Sequence, residues 1–318
     1  MNYLIKRISA ALITVFLVSV LCFFAFSVIR GDPASYLAGT DATYEQLNEL
    51  RESMGLNRNI FIRYFDWLSA FLKGNPGNSI SFRGEAISVL IAQRLPVTIT
   101  LAVLSLLLCL LIALPVSLFT VRREGGIVDN IVNFFTAAGL STPGFFLGLL
   151  FIFIFGFVFR IFVPGMYISY SENFTLFIKS LFFPSLAIAI PNAAILIKFL
   201  RGSIFTELKK YYVRTAKSKG AGRFHILLRH VLKNSLLPAV TVFGMIIAEV
   251  FSGSIVIEQV FTIPGIGMLL ITAITSRDYP LIQALMVYIA FLVVAAASFA
   301  DILNMVIDPK IRTSGRIR

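Results

Sequence analysis

Charge is what this sequence has little of. Only 14% of its residues are Asp, Glu, Lys or Arg, against about a quarter in soluble domains. With 58% hydrophobic residues and a mean hydropathy of +0.87, that shortage excludes an ordinary soluble domain. Cysteine is scarce as well. Cys22 and Cys109 both fall inside apolar runs, where a thiol behaves as a small hydrophobe and says nothing about redox compartment. No Gly-Lys dipeptide occurs, so a G-x-x-x-x-G-K-[ST] phosphate loop is excluded. Gly265-Ile266-Gly267 is an isolated G-x-G that reads as a turn after Pro264. The two histidines, His225 and His230, stand five apart on different sides of a regular helix, with no acidic or Cys partner nearby, too little for zinc. No Ser occupies a G-x-S-x-G elbow, and no paired carboxylates share a face within an apolar run. These absences leave no catalytic residue, metal site or bound cofactor to assign to this chain.

Long apolar runs are what is there, and runs of eighteen or more residues mark helices that cross a bilayer. The expected spans are residues 8–29, 97–120, 131–163, 183–200, 236–256 and 281–307. The first follows MNYLIKR but exceeds the apolar core of a signal peptide, and no A-x-A-like site follows it, so it reads as retained. Residues 131–163 cover about 50 Å as a helix, against a hydrocarbon core of about 30 Å. They are read as one span that bends or breaks at Pro143-Gly144. In the polar stretch after the first span, Thr43 with Gln46 predicts a capping box. Residues 60–72, with the only Trp, Trp67, read equally as a helix on the headgroup layer or as a small extramembrane subdomain.

Positive charge orients the chain. With a cytosolic N-terminus the inside segments are residues 1–7, 121–130, 198–233 and 308–318, which hold 18 of the 28 Lys and Arg. The short outside loops, 160–179 and 258–280, hold 2 and 1. Both termini inside requires an even number of spans, and six fits. The net charge of +12 sits in loops and tails and argues against nucleic acid as a partner. The expectation is an all-α membrane protein: residues 1–30 a first transmembrane helix, 31–95 a long extracytoplasmic loop segment, 96–308 a five-helix core and 309–318 a basic cytosolic tail.

The fourth and fifth spans are joined by the most cationic stretch. Residues 198–233 carry ten Lys or Arg and one acid, Glu207. Ala216 and Gly220 are four apart, so on a helix they would share one nearly bare face that another protein could approach closely. Arg223 to Lys233 is amphipathic, with Phe224, Leu227, Leu228 and Val231 apolar, and Leu237-Pro238 is expected to open the fifth span. Two short helices joined by Gly220-Ala221-Gly222 would make a rigid knob. Ionisable groups within spans are functional suspects. Glu249, near the middle of span five, is read as facing a water-filled pathway or else as a carboxyl at a helix contact. Asp301 lies in span six, while Lys198 and Arg201 can snorkel to the surface and need no special role.

This loop resembles the one that marks permease subunits of binding-protein-dependent ABC importers, E-A-A-x3-G followed by I-x-L-P. Arg214-Thr215-Ala216 stands in the E-A-A place, Gly220 matches the Gly, and Leu237-Pro238 the ending. Arg214, Thr215 and a longer gap to Pro238 depart from the general form but look like the peptide/nickel branch, as do Tyr212 and Lys219 around them, and Gly222 completes the segment expected to move with the partner. The likeness runs along nearly the whole chain. Gly31-Asp32-Pro33-Ala34, Met54-Gly55-Leu56, Arg94-Leu95-Pro96, Gly139-Leu140-Ser141, Glu258 to Phe261, Arg277 to Pro280 and Asp308-Pro309-Lys310 look like its B-type subunit. The resemblance implies a coupling helix within a loop over 204–235 that docks on a cytosolic ATPase. The implied assembly has a homologous second permease, two ATPase subunits holding ATP and Mg, and an extracytoplasmic binding protein. It would lie in the bacterial inner membrane and take oligopeptides or dipeptides, with nickel or a nickel chelate as the alternative in the same branch. An ion-coupled secondary transporter relaying protons through Glu249 and Asp301 is the reading from a different class.

Overall fold

The computed structural model describes residues 2–28, 43–53, 55, 57–121 and 125–307. The helices are α1 (Asn2–Val28), α2 (Tyr44–Ser53), α3 (Ile60–Leu72), α4 (Ile87–Val121), α5 (Ile127–Ser141), α6 (Gly144–Phe151) and α7 (Phe174–Ser180). They continue with α8 (Phe182–Leu208), α9 (Tyr211–Ser218), α10 (Arg223–Ile226), α11 (Leu232–Val260), α12 (Ile266–Thr275) and α13 (Tyr279–Ile307). A π-helical stretch, Ile152–Val158, prolongs α6, and a second, Leu227–Val231, fuses α10 to α11. Among the described residues one isolated bridge, Asn78 to Ala86, is the only β pairing. A bilayer imposes this, because each backbone N–H and C=O in hydrocarbon must be satisfied within its own helix.

Among the described residues five helices are long and apolar enough to cross a membrane: Arg7–Ser27, Ile87–Val121, Phe182–Leu208, Phe224–Val260 and Tyr279–Ile302. The remaining expected span is the pair α5 and α6, which turn through 104° where they meet. The stretch is therefore broken, not gently bent. Pro143 disfavours the helical region for the residue before it, and Thr142 is extended at φ −102°, ψ 119°. Among the described residues, length and composition allow six crossings when the broken pair is taken as one. The expectations for residues 31–34, Met54, Leu56, residues 122–124 of the inside segment 121–130 and the tail from Asp308 lie outside the described residues.

The chain divides into two compact units. One holds Ser9–Val97 with Pro264–Val294. Its core gathers Ile87 and Leu90 of α4, Leu269 and Ala273 of α12, and Leu281 and Leu285 of α13. Fully buried Asp278 stitches this unit together. Its Oδ1 accepts the Leu281 N–H at the start of α13, and its Oδ2 accepts the Ser81 N–H at 2.9 Å and the hydroxyls of Ser79 and Ser81. The capping box forms: Thr43 N–H donates to Gln46 Oε1 at 3.1 Å, and Gln46 N–H to Thr43 Oγ1 at 3.4 Å. Helix α3 lies along α1, with Tyr64 Oη 2.8 Å from Ser19 Oγ and the rings of Tyr64 and Trp67 on Phe23. Its outer face exposes Phe61, Ile62, Phe65 and Leu72. The rings of Tyr64, Trp67 and Phe71 also contact one another, so the helix packs its aromatics both on itself and on α1.

The other unit holds Thr98–Ile263, with terminal stretches ending at Ile8 and beginning at Ala295. Helix α8 is its centre, burying Leu196, Ile197, Leu200 and Ile204. Helices α5 and α6 close on α8 and α11 where no side chain intervenes. A Cβ on Gly139 would stand 3.0 Å from the Ala194 Cβ, and one on Gly148 3.0 Å from the Phe261 ring.

Candidate functional site

The cationic stretch forms the turn of this unit from α8 through α9 into α11. Lys210 is extended at φ −73°, ψ 152°, which redirects the chain from α8 into α9. Fully buried Val213 anchors α9, while Arg214, Thr215, Lys217 and Lys219 are exposed and Ala216 is half-buried. Gly220 has φ +81°, the left-handed region that side chains disfavour. Its N–H donates to Lys217 O at 3.0 Å, and the Ala221 N–H donates to Ala216 O at 3.2 Å. These two bonds are the Schellman closure of a helix, with Gly220 just past its end. The expected shared face of Ala216 and Gly220 is thus corrected: the helix stops at Ser218, and Gly220 serves the turn. A Cβ there would meet nothing within 4 Å, so the surface around it is open.

After the exposed Gly222, whose carbonyl accepts the Ile226 N–H at 3.1 Å, the chain does not form a second free-standing helix. It runs unbroken as the apolar helix Phe224–Val260. The expectation that Leu237-Pro238 opens the fifth span is corrected likewise: half-buried Leu237 and exposed Pro238 lie inside α11. Ile226, Leu227 and Val231 are buried, whereas Phe224 and Leu228 face outward with Tyr211. The π-helical register also brings the His225 and His230 rings to 5.9 Å, which a regular helix would separate. Among the described residues no third metal-ligating group joins them.

Glu207 holds this turn together, a role its position as the lone acid in the stretch could have signalled. Its carboxylate accepts from Lys210 Nζ and, at 2.8 Å, from the Tyr212 hydroxyl, which accepts in turn from Asn234 Nδ2 at 3.3 Å. The hydrogen bond that Lys210 donates to Glu207 holds its ammonium above the usual range, despite the opposing effect of desolvation. Burial pushes the Tyr212 phenol up, and the bond to Glu207 adds to this, so it remains a donor. Ser203 Oγ donates to Ser235 O at 3.0 Å beside this network. The three helices α8, α9 and α11 are thus joined by polar contacts that a shift of α9 alone would have to break.

Other ionisable groups of the unit are placed differently than snorkelling predicts. Arg201 is buried and donates to Asp129 and, at 2.7 Å, to Asn133 Oδ1, joining α8 to α5. Asp301 pairs with Arg7, which removes it as a free group in a proton relay. Fully buried Glu258 accepts from Thr98 Oγ1 at 2.6 Å, a contact with no signal in local sequence. Glu249 is exposed on α11, in one helical stripe with Met245, Ser252, Gly253 and Val256. A carboxylate on lipid-facing hydrocarbon is costly, so that stripe suits water or protein.

Residues 110–313 match the family model described as binding-protein-dependent transport system inner membrane component, and residues 1–102 match that of its N-terminal region. A Sinorhizobium fredii protein named "Probable peptide ABC transporter permease protein" is 34% identical over 98% of this chain and 99% of its own. The oligopeptide transport system permease of Bacillus subtilis is 32% identical over 97% and 98%. The dipeptide transport system permease of Lactococcus lactis is 30% identical over 98% and 99%.

Proposed function

The chain belongs to the family of binding-protein-dependent transport system inner membrane components, and on that premise we propose that it is the permease subunit of an ATP-driven peptide importer. The observation that carries the peptide reading is similarity at 30–34% identity, end to end, to permeases named for peptides, oligopeptides and dipeptides. In this reading a homologous second permease completes the translocation pathway. Two ATPase subunits, which hold ATP and Mg, dock on α9 and the open surface at Gly220. A binding protein delivers peptide from outside, and the chain's termini are cytosolic. The work is transport, with hydrolysis left to the partners.

The geometry supports a coupling route. When the ATPases close they carry α9. The Glu207, Lys210, Tyr212 and Asn234 contacts keep α9 from pivoting by itself, so α8 and α11 tilt with it and the cavity changes sides. Glu249, on the exposed stripe of α11, faces the pathway and meets the cationic amino group of the peptide. Uptake of labelled peptide by cells deleted for this chain and then restored tests the function. Uptake should survive a protonophore while ATP is held and should stop on ATP depletion; the reverse pattern would favour an ion-coupled carrier. Restored uptake of nickel chelate without peptide would move the substrate to the other arm of the branch. Glu249→Gln is expected to lower peptide uptake about tenfold, the loss of one desolvated charge contact, with ATPase association unchanged.

A further inference from the structure

Two stripes face each other across α5 and α8. Asn133, Ala137 and Leu140 recur at helical spacing on α5, and Lys198, Arg201 and Phe205 do so on α8. Between them lies a cavity of about 330 Å³. Its cationic end is incompletely answered by protein. Arg201, 8% exposed, gives one nitrogen to Asp129 and one to Asn133, yet its Nε–H is buried and meets no acceptor. Lys198, one turn away, is exposed and has no ion pair among the described residues. Two cations against one carboxylate leave a positive charge over. Apart from Thr136 the other walls are apolar: Ala137, Leu140, Gly202 and the ring of Phe205, which lies 5.9 Å from the Arg201 guanidinium. Lys198 and Arg201 also sit where the apolar run of α8 gives way to its polar end, the depth at which long cations reach lipid phosphates.

We propose that this cavity binds the phosphodiester headgroup of an anionic membrane phospholipid. The phosphate lies between Lys198 and Arg201, and the first acyl carbons run along Ala137, Leu140 and Phe205. Such a lipid supplies what the cavity lacks: negative charge beside two cations and hydrocarbon against an apolar wall. Basic pockets between membrane helices bind acidic headgroups in this way. A free phosphate would answer the charge and leave the apolar walls unfilled.

Native mass spectrometry of the full-length chain, extracted in mild detergent with the partners it carries, tests the site by counting retained phosphatidylglycerol against phosphatidylethanolamine. Phosphatidylglycerol should be enriched, and Lys198→Ala should lower its retention about fivefold, the factor one lysine near an anionic surface is worth. Ala137→Leu, which narrows the cavity at its apolar wall and keeps both charges, should lower it as well. Retention unchanged in both variants overturns the proposal. Displacement by millimolar glycerol 3-phosphate as complete as by added phosphatidylglycerol also overturns it, since the site would then read a free anion. So does efficient cross-linking of Leu140→Cys to a partner protein in native membranes, which would make the cavity a protein contact. Lipid retention is read without any transported substrate, so it stands or falls apart from the peptide reading.

Discussion

Two residues show how identical-looking sequence signals have different physical causes. Gly220 matches a motif position at which a small side chain lets a partner approach, yet its backbone at φ +81° gives a second reason for glycine. Asn tolerates that conformation and β-branched residues do not. Gly220→Asn should therefore keep α9 closed and Gly220→Val should not, as read by protease sensitivity at 217–222. If ATPase association fails in both variants, room for the partner is what matters; if it fails only in the Val variant, the turn is. Arg201 looked like a snorkelling cation and is instead half of a buried pair with Asp129. Arg201→Met should destabilise the chain by about 3–5 kcal/mol by leaving a buried carboxylate unpaired. Pairing it with Asp129→Leu should recover most of that loss in thermal denaturation in detergent.

At the scale of elements, turn chemistry was legible and packing was not. The capping box at Thr43 follows from local rules, because caps act over a few residues, and Pro143 marks where the third span is disturbed; that it breaks there, while α8 and α11 run through Pro191 and Pro238, was not legible. The fusion of α10 into α11 did not follow, since its buried side, Ile226, Leu227 and Val231, is chosen by a π-helical register that no local pattern announces. Close approach of α5 to α8 depends on Gly139, whose missing Cβ leaves 3.0 Å to the Ala194 Cβ. Gly139→Val should cost about 1–3 kcal/mol through overpacking, measured as a lower midpoint of thermal unfolding. The same substitution at Gly202, where a Cβ would meet nothing within 4 Å, should cost less.

At the scale of the molecule, the coupling route makes one prediction that local stability does not. Tyr212→Phe removes the hydroxyl that links Glu207 to Asn234 and keeps the ring. In the reconstituted assembly it should raise the ATP hydrolysed per peptide moved by several-fold with docking unchanged, because α9 then yields without tilting α8 and α11. An unchanged ratio would remove the network from the route. The sequence by itself determined that the protein is all-helical, crosses a membrane and belongs to a transport family, because hydropathy, positive loops and ordered motifs are written in contiguous residues. Only the tertiary structure decided that Arg201 is buried, that Glu207 ties Lys210 and Tyr212, and that Glu258 meets Thr98. Glu258 and Thr98 lie 160 residues apart. A polar side chain far along the chain carries no trace of its partner until the fold brings them within a hydrogen bond.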